Sequence, residues 1–407
     1  MNRATSIYLD LVRFVAAVVV LVTHLAYKRY TGGLLLEWRT YGNDAVMVFF
    51  VLSGYVIAHT VATRDREFGP YLLNRCARLY SVALPAIALT LVLDNLGRTL
   101  NPAAYGGFWF QGGDPLARVL HALSFTNELW FNSARLFTNG PYWSLGYEFW
   151  YYMIFAAAVF LSGRRRALWV AALMALVGPK ILLLFPVWLL GVAVYRFNKS
   201  HTLDERLGWV LFLGSIAAYA AFRAYGLRDT LLYFTYDWLG KAFVVRELRW
   251  SDEFLSAYVI GALVACNFIG MQAVAPRLTA LLTYFERPIR EWAGYTFSIY
   301  LFHYPVLQFL AAVLPIEPRE TWSAVLLFVL TLALCRLLGN YTEQRKEFWR
   351  DLLTNAAASV RRLNRAQDLW RSTSPPSGGR STRTDAGSPC AGTASADTRV
   401  PPRSDPP

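Results

Sequence analysis

The sequence predicts an all-α fold, a polytopic bundle of about ten transmembrane helices followed by a disordered C-terminal tail. Hydrophobic residues make up 55% of the 407-residue chain and charged residues only 16%, whereas a soluble domain normally carries about 25% charged residues. The apolar residues form runs long enough to cross a bilayer. The four cysteines (Cys76, Cys266, Cys335 and Cys390) are scattered without a CxxC pair, which predicts neither a disulfide framework nor a metal site.

Ten apolar segments are predicted to cross the membrane. Their approximate bounds are 7–27, 43–62, 80–96, 143–162, 166–178, 180–196, 208–225, 253–275, 293–314 and 321–341. The fifth and sixth are short and are separated by Pro179, so the sequence leaves open whether they are full spans or a broken, re-entrant pair. No cleavable signal peptide is expected, because the first run contains Asp10, Arg13 and His24 and no small-residue cleavage site follows it.

The positive charges of the chain predict its orientation rather than a nucleic-acid partner. The net charge is +13, but the basic residues stand in short clusters between apolar segments, as in membrane proteins whose orientation such clusters set. An even number of spans places both termini on one side, and the basic residues are denser in the loops of that side. The sequence therefore predicts a multi-pass protein of the plasma (inner) membrane with cytoplasmic N- and C-termini.

The chain divides into three regions by composition. Residues 1–345 form the predicted membrane-embedded domain, and 346–371 form a cytosolic amphipathic juxtamembrane segment. From about Ser372 the chain consists mainly of Ser, Thr, Pro, Gly and Arg. Because such a composition cannot bury a core, the tail 372–407 is predicted to be disordered.

The first span carries the most informative pair of polar residues. Its sequence, IYLDLVRFVAAVVVLVTHLAY, contains Arg13 and His24. Eleven helical residues make about three turns, so both side chains project from one stripe, about 16 Å apart along the axis. A guanidinium in hydrocarbon costs about 2.5 kcal/mol or more, so both are expected to face a polar cavity. His24 is the best candidate catalytic group, since imidazole titrates near neutral pH and accepts protons from hydroxyls; a structural histidine at a helix interface is the alternative.

Two further motifs lie in the second span and before the third. Ser53 and Gly54 stand midway along the second span, where small residues let helices approach closely. In YLLNRCARLY, Arg75 and Arg78 stand at i and i+3 on one helical face on the predicted inner side. Such a pair suits either a polyanion, such as the pyrophosphate of a cytosolic cofactor, or lipid phosphates.

The fourth span begins with GPYWSLGYEFWYY, after a loop at about 97–142 that is rich in glycine and aromatic residues. That composition suits interfacial anchoring or stacking on sugars. Glu148 is expected about five residues below the outer surface, with Trp143 and Ser144 one turn above it. A carboxylate at that depth is costly unless it is partnered or functional, and His24 is expected at a similar depth. The geometry of the two helices therefore permits a pairing between Glu148 and His24.

The ninth span, GYTFSIYLFHYPVL, contains a second buried histidine. His303 is expected in the middle of the membrane with Tyr300 one turn before it. Pro305 and Pro315 follow and are expected to loosen the helix there. His303 and Tyr300 are predicted to line the same cavity as the first-span residues.

In their order along the chain, these motifs resemble the acyltransferase 3 family of integral-membrane O-acyltransferases. The family pattern begins with a first-helix LDGLRxxA…H in which ten residues separate Arg and His; here it is LDLVRFVAAVVVLVTH. The other shared motifs are FFVLSGYVIA, the basic helix ending RLY, WSLGYE and GYTFSIYLFHYPV. The likeness covers about residues 5–345. The glycines usual after Asp10 and Arg13 are replaced by Leu11 and Phe14, which concern packing more than chemistry.

The resemblance implies transfer of an acyl group, commonly acetyl from acetyl-CoA, to a hydroxyl of a carbohydrate or glycoside such as an exopolysaccharide, an O-antigen or a macrolide sugar. The lipid bilayer and this carbohydrate are the expected partners, acyl-CoA is the expected donor, and no metal is expected. In this scheme Arg75 and Arg78 hold the CoA phosphates, and Arg13 neutralises the donor deeper in the cavity. His24, oriented by Glu148, removes the proton from the acceptor hydroxyl.

The remaining candidate residues are expected to bind substrate or to line the cavity. They are Ser53, Trp143, Ser144, Tyr300 and His303. Direct transfer is favoured over an acyl-histidine intermediate, which stays open. The rival interpretation is a proton-coupled transporter or flippase of a glycan or acyl compound, in which the same ionisable residues form the pathway.

Overall fold

The computed structural model of the protein describes residues 2–107, 109–345, 347–352 and 354–355. The α-helices, in chain order, are α1 (Arg3–Leu25), α2 (Lys28–Thr31), α3 (Tyr41–Thr63), α4 (Phe68–Leu100), α5 (Pro115–Leu123), α6 (Trp143–Phe160), α7 (Gly163–Val177), α8 (Pro179–Ser200), α9 (Glu205–Ala224), α10 (Leu227–Leu239), α11 (Lys241–Phe243), α12 (Phe254–Tyr284), α13 (Glu286–Ala293), α14 (Thr296–Val313) and α15 (Thr321–Tyr341). Within these described residues no β-strand is present, and the predicted all-α fold is confirmed. The predicted tail, 372–407, and most of the predicted juxtamembrane segment, 346–371, lie outside the described residues.

Eight segments of the described chain are long and apolar enough to cross a membrane. They contain α1, α3, α4, α8, α9, α12, α14 and α15 and correspond to eight of the predicted spans. The other two predicted spans form α6, which is rich in Trp and Tyr and mostly buried, and α7, whose 15 residues are fewer than the roughly 20 that cross a bilayer. The chain is a multi-pass membrane protein.

The ends of several helices follow signals in the sequence. Asn2 caps α1, because its side chain accepts a hydrogen bond from the Thr5 backbone N–H at 2.7 Å. Gly178, with a φ of 78°, separates α7 from α8 in a conformation that L side chains avoid. Pro179 then takes the first position of α8, where its missing N–H costs nothing. α8 continues to Ser200 and is a full-length span, whereas α7 is short.

The basic segment and the third predicted span form one continuous helix. α4 has 33 residues and contains Pro85 without ending there. α12, with 31 residues, likewise extends beyond its predicted end at 275. Because Arg75 and Arg78 belong to the same rigid helix as the span, their position relative to the bundle interior is fixed.

Helices α3 and α8 pack so closely that a side chain at two positions would collide with the opposite backbone. A Cβ atom on Gly54 would lie 2.0 Å from the carbonyl oxygen of Trp188, and one on Gly191 would lie 1.9 Å from that of Val51. Glycine at these positions permits the approach, as predicted for Gly54. The contact also brings the indole of Trp188 beside Ser53.

Ion pairs identify two sides of the bundle. On the N-terminal side, Arg3 of α1 pairs with Glu286 of α13 at 2.5 Å. Hydrogen bonds from Arg3 and then from Arg290 lower the pKa of the Glu286 carboxyl. On the distal side, Asp44 near the start of α3 pairs with Arg223 near the end of α9 at 3.3 Å. α1 therefore begins on the N-terminal side, whereas α3 begins and α9 ends on the distal side.

Candidate active site

Two cavities of the bundle share Tyr300 and Val46 in their linings. The N-terminal cavity is lined by polar side chains that include Arg13, Ser53, Arg78, Ser144, Glu148 and Tyr152. The distal cavity, called the vestibule here, is lined by Thr23, His24, Tyr27, Arg39, Asn43, Arg135, Trp143, Arg228 and Trp250, among others. The two stripe residues of α1 thus face different cavities, Arg13 the first and His24 the second.

His24 lies in the vestibule wall near the end of α1 and contacts a second histidine on α14. Its Nδ1 atom is 3.0 Å from Nε2 of His303 and 2.9 Å from the Val20 carbonyl oxygen. His303 is fully buried, and its Nδ1 atom is 2.8 Å from the Ile299 carbonyl oxygen. The two imidazoles form one hydrogen-bonded chain between two backbone carbonyls.

This chain assigns the protons of both neutral rings. The Ile299 carbonyl can only accept, so His303 carries its proton on Nδ1 and presents the lone pair of Nε2. His24 Nδ1 then faces two acceptors, the Val20 carbonyl and His303 Nε2, and must carry the proton of its own ring. The lone pair of His24 is therefore on Nε2. That atom makes no hydrogen bond with any residue that the structure describes, so it is available as a base.

Aromatic rings fix the plane of the His24 imidazole. Tyr304 meets it edge-on at 4.8 Å between ring centroids, and Tyr27 does so at 5.6 Å. The backbone carbonyl, the second histidine and these two rings hold the imidazole, which also lines the vestibule. An oriented base with one open nitrogen suits proton transfer.

The pairing of Glu148 with His24 that the sequence permits is not found. Glu148 accepts a hydrogen bond from the Ser53 hydroxyl at 2.7 Å and another from the Tyr152 hydroxyl. The Trp188 indole donates in turn to the Ser53 oxygen at 3.2 Å. The carboxylate points toward α3 within the N-terminal cavity, because α6 is rotated so that this face meets Ser53. His303, rather than Glu148, orients His24.

The predicted arginine pair of α4 is also divided. Arg75 is buried and forms an ion pair with Asp65 at 3.0 Å, so its charge is already neutralised. Arg78 lines the N-terminal cavity, with its guanidinium 5.2 Å from the centre of the Phe297 ring, and it makes no ion pair with any described residue. Arg13 lines the same cavity, donates to the Ala293 carbonyl oxygen at 2.9 Å and forms a partly exposed ion pair with Asp10 at 3.2 Å. The cations that face this cavity are therefore Arg13 and Arg78.

The remaining predicted residues form the wall between the cavities. The Ser144 and Tyr300 hydroxyls are hydrogen-bonded at 2.7 Å. Trp143, one residue earlier, stacks face to face on Trp250, with 5.3 Å between centroids and 3° between planes. The start of α6 thus presents a hydroxyl pair to one cavity and an aromatic face to the other.

Several polar residues near the site were not predicted. Tyr152 is one turn after Glu148, so helical periodicity offered a signal for it. Arg29 donates to the Tyr304 hydroxyl at 2.6 Å and lies 4.3 Å from the Trp109 ring centre. In the sequence it resembles the basic loop residues that set the orientation of a membrane protein. Arg135 comes from an irregular loop, for which the sequence offered no signal.

Among the described residues, no group of three or more His, Cys, Asp or Glu side chains that could hold a metal ion is present. Cys76, Cys266 and Cys335 are unpaired, and Cys390 lies outside the described residues.

In this membrane-embedded bundle, a positioned imidazole lines one cavity and two guanidinium groups line another. Such an arrangement suits a group-transfer enzyme that works within the bilayer. Comparison with known protein families agrees with this class, because residues 6–339 match the family described as "Acyltransferase domain" (Acyl_transf_3). The chain therefore belongs to the acyltransferase 3 family, and it is an acyltransferase.

Two curated proteins are similar to the chain. An "O-acetyl transferase" of Shigella phage Sf6 is 25% identical over 236 residues, which cover 52% of this chain and 69% of that protein. "Acyltransferase MdmB" of Streptomyces mycarofaciens is 28% identical over 170 residues, which cover 39% of this chain and 41% of that protein. The chain thus spans less than half of the second relative. No solved structure matches the chain.

Proposed function

We propose that the protein transfers an acyl group from acyl-CoA to a hydroxyl group of a carbohydrate or glycoside, with acetyl as the favoured acyl group. In this proposal the protein lies in the plasma membrane with its N-terminal side in the cytoplasm, acyl-CoA enters the N-terminal cavity, and the acceptor enters the vestibule. The observation that carries the proposal is that the two cavities share Tyr300 in their linings and that one of them is also lined by His24, whose Nε2 lone pair is free. The family match and the name of the phage relative support the reaction class.

The reaction needs one base and one acid, and His24 supplies both. Nε2 of His24 takes the proton of the acceptor hydroxyl as the oxygen bonds to the thioester carbonyl carbon. The carbon–sulfur bond then breaks, and the same proton passes to the departing thiolate, giving an ester and CoA thiol. Throughout the reaction, Nε2 of His303 accepts a hydrogen bond from the Nδ1–H group of His24. This hydrogen bond stabilises the imidazolium that forms between the two proton transfers. The transfer is direct, with no covalent enzyme intermediate.

The N-terminal cavity is suited to the donor by its charge. Arg13 and Arg78 present guanidinium groups, which bind phosphate oxygens through paired, charge-assisted hydrogen bonds. Ser53, Glu148 and Tyr152 also line this cavity, and the hydrogen bonds among them fix the positions of their side chains. Tyr300 and Ser144 stand at its inner end, where the acyl group has to reach the acceptor.

Radiolabelled acetyl-CoA tests the proposal. The purified protein is incubated with the labelled donor and a mixture of surface glycans and glycosides, and both ester-linked label and CoA thiol are measured. Equal amounts of label in ester and of released thiol are expected. Movement of label across proteoliposome membranes without ester formation would instead support a transporter or flippase and contradict the proposal.

Replacement of Arg78 by glutamine is expected to raise KM for acetyl-CoA about tenfold with little change in kcat, because the lost contact binds the donor equally in the ground and transition states. Arg75→Gln is the matched comparison on the same helix face. It should leave KM nearly unchanged and lower the thermal stability, because it leaves the buried Asp65 without its cation. Steady-state kinetics and thermal unfolding in detergent measure both variants. An increase in KM for Arg75→Gln alone would reassign the donor contact to Arg75.

A further inference from the structure

We infer that the acceptor carries a negative charge, a carboxylate or a phosphate, close to the hydroxyl that is acylated. This inference rests on the proposed function, and it names the class of acceptor that the vestibule recognises. It is carried by the charges of the vestibule, which the acyl transfer reaction itself does not require.

Three arginines line the vestibule, and two of them lack a carboxylate partner. Arg228 is neutralised by Glu253, with Nε of Arg228 2.9 Å from Oε2 of Glu253. Arg39 is exposed and makes no ion pair with any described residue. Arg135 donates to the Trp109 carbonyl oxygen at 3.3 Å, and its buried Nε has no hydrogen-bond partner. Two positive charges therefore face the same space as His24.

The vestibule also lacks acidic side chains that would offset these charges. Among the described residues no aspartate or glutamate lines it. The nearby Asp44 forms an ion pair with Arg223 at 3.3 Å and accepts a hydrogen bond from the Tyr219 hydroxyl at 2.7 Å. Unpaired guanidinium groups in a partly enclosed site strongly favour an anionic ligand, because carboxylate and phosphate match their fork of N–H donors.

The rest of the vestibule is suited to a sugar. The stacked Trp143 and Trp250 rings form an apolar wall, while Asn43, Thr23 and Thr40 supply neutral polar groups. The Arg135 guanidinium lies 5.8 Å from the Trp250 ring centre, so the cation and the aromatic wall are adjacent. A sugar ring on this wall would place an anionic substituent within reach of Arg135.

An anion at this position would also assist the reaction. When His24 accepts the hydroxyl proton, a positive charge forms on its ring in the vestibule, which Arg39 and Arg135 also line, and their guanidinium groups oppose that charge. A bound carboxylate or phosphate offsets the repulsion. A neutral acceptor offers no such compensation, so the same site should bind it weakly.

Matched probes test the inference by isothermal titration of the full-length protein in detergent. The charged probe is the methyl glycoside of a glucuronic-acid disaccharide, and the neutral probe is its carboxyl-reduced form. A third probe, a short-chain prenyl-phosphate glucose, tests a lipid-borne phosphate as the source of the charge. We expect at least one charged probe to bind about tenfold more tightly than the neutral one.

The arginine variants show whether the preference arises in the vestibule. Arg39→Gln and Arg135→Gln should each remove most of the preference, and Arg39→Lys should retain part of it. Arg165→Gln, an exposed charge at the start of α7, should keep all of it. Arg39 is exposed, so its variant is informative even if Arg135→Gln does not fold. Preference for the glucuronoside assigns the charge to the glycan, and preference for the prenyl-phosphate probe assigns it to a lipid carrier.

Equal binding of charged and neutral probes, or no binding of any probe, overturns the inference. So does a preference that Arg39→Gln leaves unchanged. Failure of the proposed function would look different, since acetyl-CoA would then not bind, which is measured without any glycan, and no His24-dependent CoA thiol would be released in the presence of the mixture of surface glycans and glycosides.

Discussion

Replacement of His24 by alanine is expected to lower kcat for acyl transfer by about 10²–10⁴-fold, the usual contribution of a positioned general base. The effect should fall on kcat rather than on KM for the donor, because Arg13 and Arg78, not His24, line the N-terminal cavity, where we propose that the donor binds. The reaction is measured as ester-linked label formed from radiolabelled acetyl-CoA. Membrane insertion and thermal stability should be retained, since the ring is partly exposed to the vestibule and makes no ion pair.

His201→Ala is the control for this experiment. His201 is exposed at the end of α8, where its ring stacks on Phe197 at 4.7 Å, and the variant should transfer acyl groups at the wild-type rate. A His24→Ala protein that still acylates the native acceptor at the wild-type rate would exclude His24 as the base. In that case the His24–His303 contact would have a structural role.

Replacement of Lys180 by methionine is expected to destabilise the protein by about 3–5 kcal/mol, because it leaves a buried carboxylate without its cation. Nζ of Lys180 lies 2.5 Å from Oε2 of Glu128, and both side chains are almost fully buried, with 0% and 2% of their surfaces exposed. The same Nζ donates to the Ser133 hydroxyl at 2.9 Å and to the Asn132 carbonyl. Burial raises the pKa of the Glu128 carboxyl, and the Lys180 cation opposes that shift.

Denaturant unfolding in mixed micelles measures this change. The double variant Glu128→Leu/Lys180→Met should recover most of the lost stability, since a buried pair replaced by apolar side chains is often neutral. Lys199→Met, an exposed lysine at the end of the same helix, is the matched control and should change stability by less than about 0.5 kcal/mol. A single Lys180→Met variant as stable as the control would show that the buried pair contributes nothing to folding.

The periodicity of the sequence predicted the helices of the fold and the placement of two site residues on one face of α1. Hydrophobic runs located the helices, and the 11-residue spacing placed Arg13 and His24 on one face of α1. Their 16 Å separation along the axis, about half of a bilayer core, explains why the structure assigns them to two cavities rather than one. The mostly buried α6 differs from the other predicted spans because protein, rather than lipid, surrounds much of it. The 15-residue α7 differs because it is too short to cross a bilayer.

Long-range partners could not be predicted from local pattern. The depth of Glu148 along α6 was readable, but the rotation of α6 about its axis depends on packing, and that rotation directs the carboxylate to Ser53. The contact between His24 and His303 joins residues 279 positions apart, and no local signal connects them. The neutralisation of Arg75 by Asp65 depends on the fold of the intervening loop.

The lining residues that the two cavities share, Tyr300 and Val46, have a consequence for how the cell supplies acyl groups across the membrane. If the two reactants meet there, only the acyl fragment changes compartments, while the nucleotide part of the donor stays in the pool from which it was made. The chemical step is then itself the vectorial step, powered by thioester cleavage. Neither an ion gradient nor a separate exporter of activated acyl groups is required.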